Sequence, residues 1–575
     1  MANAADILTD NLDIWTSAIE RRSSAGRGRS KKFSLYGIEK LRALILDLAV
    51  RGKLVPQDAG DEPASELLKR IAKERAERIS RGELRRGKLS ADPIDFPFEP
   101  PTGWVWLRLA ETGNIGSGNS INEPTRAQLA SVKEGRPFIA TKDVGYGLDR
   151  LDYENGLLVE FSDERFKIAR KNSVLICAEG GSAGKKIGLA DREICFGNKL
   201  LANETWSVIA PKFVLLIYMS EFFYHQFSNK MKGVIGGISI ANFLELPFPL
   251  PPLAEQHRIV SKVDELMGLC DALEAGTYEA IEAHELLVGN LLATLTRSQN
   301  AEELAENWAR IETHFDTLFT TEASIDQLKQ TILQLAVMGK LVQQDRDADS
   351  SNQRQLRPDE AAESYDAKAY AARAKKFPLP TGWAIEPLSR VSSHIVDCPH
   401  TTPKWTNEGY LCAKSEQIMP GYLDLRNPNY VSEDTFIERI ERLKPEPGDI
   451  LFKREGGILG VACRIPEGTE LCLGQRLMLI RANVSMLPPF LELVLNSPWT
   501  TDYAREMTTG GAAPRVNMAI VRAFPIPLPP KREQQRILAR LTELTDLCEL
   551  LKVQLSSARA AEVSFADAVA SKAVA

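Results

Sequence analysis

The stretch PFPLPPLAEQHRI, residues 247–259, returns as PIPLPPKREQQRI at residues 525–537, an offset of 278 positions. Two other blocks keep nearly the same offset. IEKLRALILDLAVRGKLVPQD (38–58) returns at 325–345 as IDQLKQTILQLAVMGKLVQQD, with 13 of 21 positions identical, and PTGW at 101–104 returns at 380–383. Three blocks recurring in one order mark a tandem duplication, a signal that governs architecture before local structure is read. Each copy is a LAVxGKLV block, a variable stretch beginning near PTGW, and a PLPP–EQ block with the segment after it. The variable stretches, 100–250 and 380–528, share only sparse marks, among them EGGxxG at 179–184 and 455–460. One frame encloses two differently tuned surfaces.

The frame reads as helical. After Pro530, apolar residues fall at Ile537, Leu541, Leu544, Cys548, Leu551 and Leu555; after Pro252 they fall at Ile259, Val263, Leu266, Cys270 and Leu273. That alternation of fours and threes is a coiled-coil seam. It weakens at Gly276–Thr277 and is expected to resume at Leu287, Leu291 and Leu295. The prolines suit helix starts. Block one carries Ile38, Leu41, Ile45 and Leu48 and stops at Gly52; its second copy carries Ile325, Leu328, Ile332 and Leu335 and stops at Gly339, each glycine fitting a helix C-cap.

The variable stretches have another texture. RPFIATKDV, NSVLICAEG, KIGLADREICF, GDILFKREGG, GVACRI and LMLIRAN are short apolar or alternating runs between Gly, Asn and Asp, which predicts strands and turns. FVLLIYMSEFFYHQF and PFLELVLNSPWTTDYAREM predict one helix in each copy. The fold class is therefore α+β, a tandem duplication.

At 575 residues the chain exceeds one ordinary core. Its apolar share of 44% and charged share of 26% exclude a disordered tail or a fibre. No apolar run reaches the ~18–20 residues of a membrane helix, and the first residues lack a secretion-signal layout. Eight cysteines without a CxxC pair point to a reducing cytosol rather than a disulfide framework. The net charge of −6 argues against a polycation, yet residues 21–90 hold 19 Lys/Arg against 9 Asp/Glu, concentrated in RRSSAGRGRSKK and RISRGELRRGK. Such clusters suit phosphate contact as well as a solvated face.

Signs of chemistry are weak. EGGSAGKK (179–186) has the wrong spacing for a phosphate loop, and its second copy has no lysine, so a turn used in both copies is the better reading. His394, Cys398, His400 and Cys412 fit no pairwise zinc pattern, so no metal site is assigned. HExxH is absent, and no catalytic residue is assigned.

LPFPLPPLAEQHRIV and FPIPLPPKREQQRIL, each opening a long helix after a variable domain, resemble the specificity subunit of type I restriction–modification enzymes. PTGW resembles the start of that family's target-recognition domains, DCPHTTPKWTNEGYLCAKSEQI (397–418) is similar to the opening of many of them, and the paired LAVxGKLV blocks match the subfamily with conserved segments at the N-terminus and centre. The first domain lacks the DCPHTTP element.

The resemblance implies two target-recognition domains separated and held by long antiparallel coiled-coil helices in pseudo-twofold arrangement. The expected segments are a basic helical segment at 1–95, recognition domains at 96–252 and 377–530, a central helical region at 253–376 and a C-terminal helix at 531–575. It implies a non-catalytic cytoplasmic subunit that reads a split, asymmetric double-stranded DNA target. Its expected partners are two modification subunits that methylate adenine and restriction subunits that translocate and cleave DNA. S-adenosylmethionine, ATP and Mg are expected on those partners, with no cofactor on this chain and no membrane. A scaffold with two protein-binding modules, or an enzyme with an unrecognised site, remains the alternative. Base contacts come from a few polar side chains. The candidates are Lys142, Ser182, Lys185, Lys186, Asn198 and Lys199 in the first domain, and His400, Thr401, Lys404, Lys414, Lys453, Arg454 and Arg515 in the second.

Overall fold

The computed structural model describes residues 8, 10–21, 33–84, 97–233, 236–344, 365–399, 401–456, 459–509 and 514–574. His400 and the basic positions 22–32 and 85–88 lie outside these residues. The chain divides into two units, one of 1–280 with 558–575 and one of 281–557.

In the first unit, the helix Tyr36–Val50 buries Ile38, Leu41, Ile45 and Leu48, one face of a 3.6-residue period. It ends where Gly52 turns to φ +65° and the Lys53 amide donates to the Leu48 carbonyl at 2.9 Å. A Cβ on Gly52 would lie 2.6 Å from Pro101 Cγ and 2.8 Å from Trp104 Cζ2. The second unit repeats this with the helix Glu322–Val337, where Gly339 at φ +69° leaves a Cβ only 2.7 Å from Pro380 Cγ. LAVxGKLV and PTGW recur together because the glycine of one packs against the proline and tryptophan of the other.

The PLPP–EQ block has a similar explanation. Pro247–Leu250 pairs antiparallel with Val105–Arg108, and Pro525–Leu528 pairs with Ala384–Pro387, closing each variable domain where it begins. The glutamine that comes next is buried in both units. Gln256 accepts from the Ala210 amide (2.8 Å) and donates to the carbonyls of Val208 (3.3 Å) and Pro251 (3.1 Å). Gln534 accepts from the Leu487 amide (2.8 Å) and donates to Ser485 and Pro529, each at 3.0 Å. A primary amide, donor and acceptor at once, ties the start of a long helix to a domain helix.

Those long helices are Leu253–Arg297 and Lys531–Val574. The first carries the chain out of the first unit into the second, and the other carries it back. Ile259, Val263, Leu266 and Cys270 are buried as the seam requires. The first helix is unbroken through Gly276 and Thr277; the seam resumes one residue later than expected at Val288 and Leu292, with Leu287 52% exposed, and Leu295 is buried as expected. Val288 is 18 positions beyond Cys270, five turns at ~3.6 residues per turn, so the buried stripe keeps the natural helical period across this stretch. In the second unit Val288, Leu292 and Leu295 share a core with Ile325, Leu328, Ile332 and Cys548.

The two variable domains share the order of their first sheet and of three strands of the second, whose fourth strand lies on opposite edges, Ile168–Ala169 in one and Trp405–Thr406 in the other. In the first, one four-stranded sheet runs Gly113–Ser117, Leu200–Thr205, Val174–Cys177, Ile187–Leu189, and the other runs Leu158–Val159, Arg136–Ile139, Ile194–Phe196, Ile168–Ala169. In the second they run Ser392–Asp397, Leu477–Ala482, Ile450–Lys453, Val461–Arg464 and Trp405–Thr406, Tyr430–Val431, Tyr410–Ala413, Leu471–Leu473. In each domain the second sheet holds one parallel pair, Arg136–Ile139 with Ile194–Phe196 and Tyr410–Ala413 with Leu471–Leu473. The period of two along a strand divides the core: Leu451 and Leu479 join the cluster between the sheets, whereas Ile450, Phe452, Met478 and Ile480 pack on Phe490, Leu491 and Val494 of the helical side.

The single helix expected in each copy is two. Pro211–Met219 and Glu221–Asn229 break at Ser220, and Pro488–Asn496 and Pro498–Glu506 break at Ser497. Both serines are extended (ψ 148° and 154°), and each hydroxyl donates at 2.6 Å to the carbonyl three residues back. Hydrophobic periodicity continues across the break and conceals it; the serine, with Pro498 in the second copy, carries the stop signal.

Candidate nucleic-acid interface

The strand register places three loops at one end of the first sheet in each domain. Leu200 lies opposite Cys177, and Leu477 lies opposite Lys453. From these positions leave the EGGxxG turn and the turn that precedes Leu200 or Leu477. A third segment, residues 236–238 or 514–516, pairs against the EGGxxG turn.

The EGGxxG turns are the same object built twice. Gly180 and Gly184 have φ +96° and +72°, and Gly456 and Gly460 have +106° and +81°. The Gly180 amide donates to the Gly236 carbonyl (2.8 Å) and the Gly456 amide to that of Pro514 (3.0 Å). The Gly184 amide donates to Cys177 and the Gly460 amide to Lys453, both at 2.8 Å. These amides are spent on carbonyls, the opposite of a phosphate cradle, whose backbone donors point outward.

The structure brings the six first-domain candidates together around this end. Ser182 accepts the backbone amides of Lys185 and Lys186 through its carbonyl. Lys185 is exposed and lies over the Tyr224 ring (5.6 Å). The Lys186 ammonium donates to the carbonyls of Thr141 (3.0 Å) and Lys142 (3.3 Å) and sits 5.7 Å from the centre of the Tyr146 ring. Lys142 is exposed beside Asp143. Asn198 and Lys199 are exposed, and Lys199 reaches Glu179 of the EGGxxG turn at 3.7 Å.

The second-domain candidates separate into two kinds. Thr401 and Lys404 are exposed on the DCPHTTP loop, and that loop is held from inside by the buried Arg439, which donates to the Thr401 carbonyl (2.6 Å) and the Leu473 carbonyl (2.9 Å). Lys414 lies 4.4 Å over the Trp405 ring, a desolvating and orienting contact for an ammonium. Arg515 is exposed on the third loop, paired with Glu455 as a β-bridge.

Lys453 and Arg454 are engaged inside the domain. The Lys453 ammonium is buried against the Ile418 carbonyl (3.3 Å), and that burial pushes its pKa down from the ordinary lysine value. Arg454 grips Asp397 through two nitrogens (3.2 and 2.7 Å) and donates to the Val516 carbonyl (3.3 Å), tying strand, turn and third loop together. A buried bidentate ion pair holds loops in place and leaves little of the guanidinium for an outside ligand.

Two features escaped the sequence reading. One is the exposed aromatic rings, Tyr146 (65%) and Trp405, that shelve the lysines. The other is the turn Gly474, Gln475, Arg476, the structural counterpart of Gly197, Asn198, Lys199: the Gly197 amide donates to the Ile139 carbonyl (2.9 Å) and the Gly474 amide to the Ala413 carbonyl (2.8 Å). FGNKLLA and LGQRLML stand 277 positions apart, next to the offset of the repeat, and that spacing was the available signal. Among the described residues there is no cluster of three or more His, Cys, Asp or Glu arranged for a metal ion, and no helix long and apolar enough to cross a membrane.

The family described as the type I restriction modification DNA specificity domain matches residues 101–283 and 403–558. The type I restriction enzyme EcoEI specificity subunit of Escherichia coli is 35% identical over 602 aligned positions, covering 98% of each chain. The EcoAI specificity subunit of the same organism is 34% identical over 597, covering 99% of each. The crystal structure of the HsdS subunit from Thermoanaerobacter tengcongensis aligns with 83% of this chain and 98% of its own, at 18% identity and a TM-score of 0.40. A family model that matches both variable domains, and two relatives matched over nearly the whole chain, place it in the family of type I restriction–modification specificity subunits, non-catalytic subunits that set DNA specificity.

Proposed function

We propose that this chain reads a bipartite, asymmetric double-stranded DNA target, one half-site per variable domain, within the boundaries 96–252 and 377–530. One observation carries this reading. The same three loops are held by the same backbone hydrogen bonds in both domains, yet carry different polar side chains. A shared scaffold with divergent tips is what two readers of different sequences require, as base-edge contacts specify while the scaffold positions them. The candidate readers are the exposed or half-buried residues Lys142, Ser182, Lys185, Asn198 and Lys199, and Thr401, Lys404, Lys414 and Arg515, with His400 beside them in sequence; Lys186, Lys453 and Arg454 support the loops.

The helical segments 1–95, 253–376 and 531–575 dock two modification subunits and the restriction subunits that translocate and cleave. S-adenosylmethionine, ATP and Mg act on those partners, in the cytoplasm, and this chain holds no cofactor of its own.

The test is exchange of residues 384–523 for the equivalent stretch of a relative, followed by methylome sequencing of cells carrying the cognate modification subunit. One half-site changes and the other stays. A swap that alters both half-sites, or methylation without any sequence preference in the parent, overturns the reading.

A further inference from the structure

At the strand end where Lys453 and Arg454 are consumed internally, Arg476 and Arg515 stay exposed. Arg476 is exposed, and its guanidinium forms no ion pair with any described residue. It also occupies φ +67°, one of two non-glycine residues with positive φ among the described residues. A long side chain in the left-handed region is disfavoured, and such strain persists at sites where something other than stability is served. Glycine would relieve it at no steric cost.

Its neighbour points the same way. Gln475 is partly buried, and its Nε2 donates to Thr402 Oγ1 at 2.7 Å, which fixes the amide while leaving Oε1 and a second N–H available. The Gly474 amide is bound to the Ala413 carbonyl, so the turn is anchored directly beside Lys414 and its Trp405 shelf. An amide followed by a cation occupies the matching turn of the first domain, Asn198–Lys199. Two domains that otherwise diverge at their tips have kept one chemical pair at one place.

We infer that Arg476, with Gln475 oriented beside it, reads a base edge in the half-site of the second domain, and that Arg476 faces a guanine. Arginine's planar fork matches the O6 and N7 acceptors of guanine, a match unavailable to the other three bases. The inference rests on the DNA-reading role proposed above and assigns residues to it.

The experiment uses the full-length chain assembled with its cognate modification subunit and a duplex pool randomised through the target. Arg476→Gly removes the fork and the backbone strain together. The expected variant keeps or raises the thermal midpoint, keeps the first half-site, and loses about 5- to 150-fold of its discrimination for G·C at a single position of the second half-site. Arg476→Asn, which tolerates the left-handed region, serves as a second variant and gives the same loss. Unchanged selectivity in both variants overturns the inference. So does a uniform weakening across all sequences with a shallower salt dependence, the mark of a phosphate contact. A parent assembly with no sequence preference refutes the DNA-reading role itself, which separates the two failures.

Discussion

Replacing Gln256 by methionine, which keeps the volume and removes the amide, should cost far more than one surface hydrogen bond. The side chain is fully buried, and its loss strands one N–H, that of Ala210, and two carbonyls, those of Val208 and Pro251, all three in buried residues. An unsatisfied buried polar group costs about 1–3 kcal/mol, with carbonyls toward the low end, so the total is about 3–5 kcal/mol. That is a large share of the ~5–15 kcal/mol that stabilises a typical domain. Urea unfolding of the full-length chain, with hydrogen exchange to localise the effect, measures it; the Ala210 amide should exchange faster by at least about tenfold, since about 1.4 kcal/mol is a factor of ten. Gln256→Glu is a sharper probe. The carboxylate still accepts from Ala210 yet cannot donate to either carbonyl, and it buries a charge. Its carboxyl should therefore titrate above the ordinary range, and the variant should regain stability as pH falls and the neutral acid recovers one donor. If Gln256→Met unfolds within ~1 kcal/mol of the parent and the Ala210 exchange is unchanged, the amide is not the tie described here.

Gly339→Ala places a methyl 2.7 Å from Pro380 Cγ at φ +69° and should destabilise the second unit by about 2–4 kcal/mol, read by urea unfolding, with Gly52→Ala doing the same in the first. Arg454→Ala removes the bidentate cation from the largely buried Asp397 and should cost about 3–5 kcal/mol in thermal or urea denaturation, with DNA discrimination lost only as the second domain loosens. Burial raises the Glu255 carboxyl above the ordinary carboxylate range, against the opposing Trp104 indole donor at 3.0 Å. The folded chain thus holds that proton more tightly than the unfolded chain. Stability relative to Glu255→Gln is greatest at acid pH and declines as pH rises above ~4.3 through the raised value, measured as the pH-dependent difference in urea midpoints. An equal difference at every pH refutes that assignment.

The frame was legible in the sequence because its residues are repeated and periodic. Ile38 through Leu48, the glycines at 52 and 339 and the paired glutamines 256 and 534 each appear twice at a nearly fixed offset, so packing constraints imprint the chain twice. The features that stayed hidden depend on residues whose local sequence misleads. Ser220 and Ser497 stop helices inside runs whose apolar rhythm continues, and Leu287 sits one position off a stripe that keeps 3.6 rather than 3.5 residues per turn. At the proposed reading surface, composition identifies cations without showing which of them the fold consumes. Lys453 and Arg454 look as available as Lys414 in sequence, yet the Ile418 carbonyl holds the one and Asp397 with the Val516 carbonyl holds the other. Arg476 was overlooked for the converse reason: its positive φ is not written in composition, and its match to Lys199 shows only once FGNKLLA and LGQRLML are set against each other at their 277-position spacing.

The first unit is completed from very far along the chain. Tyr36 donates to Asp567 at 2.8 Å and the Lys53 ammonium to the Val574 carbonyl at 2.6 Å, contacts that span 531 and 521 positions. On the ribosome, the helix Tyr36–Val50 emerges hundreds of residues before residues 558–574 exist to cover it. All of the second unit is synthesised in that interval, so the part of the protein made first is the last to be finished. Until then a face of that helix is exposed to whatever else is in reach, a period in which a nascent chain is open to chaperones, to aggregation, or to capture by a subunit that recognises the same face.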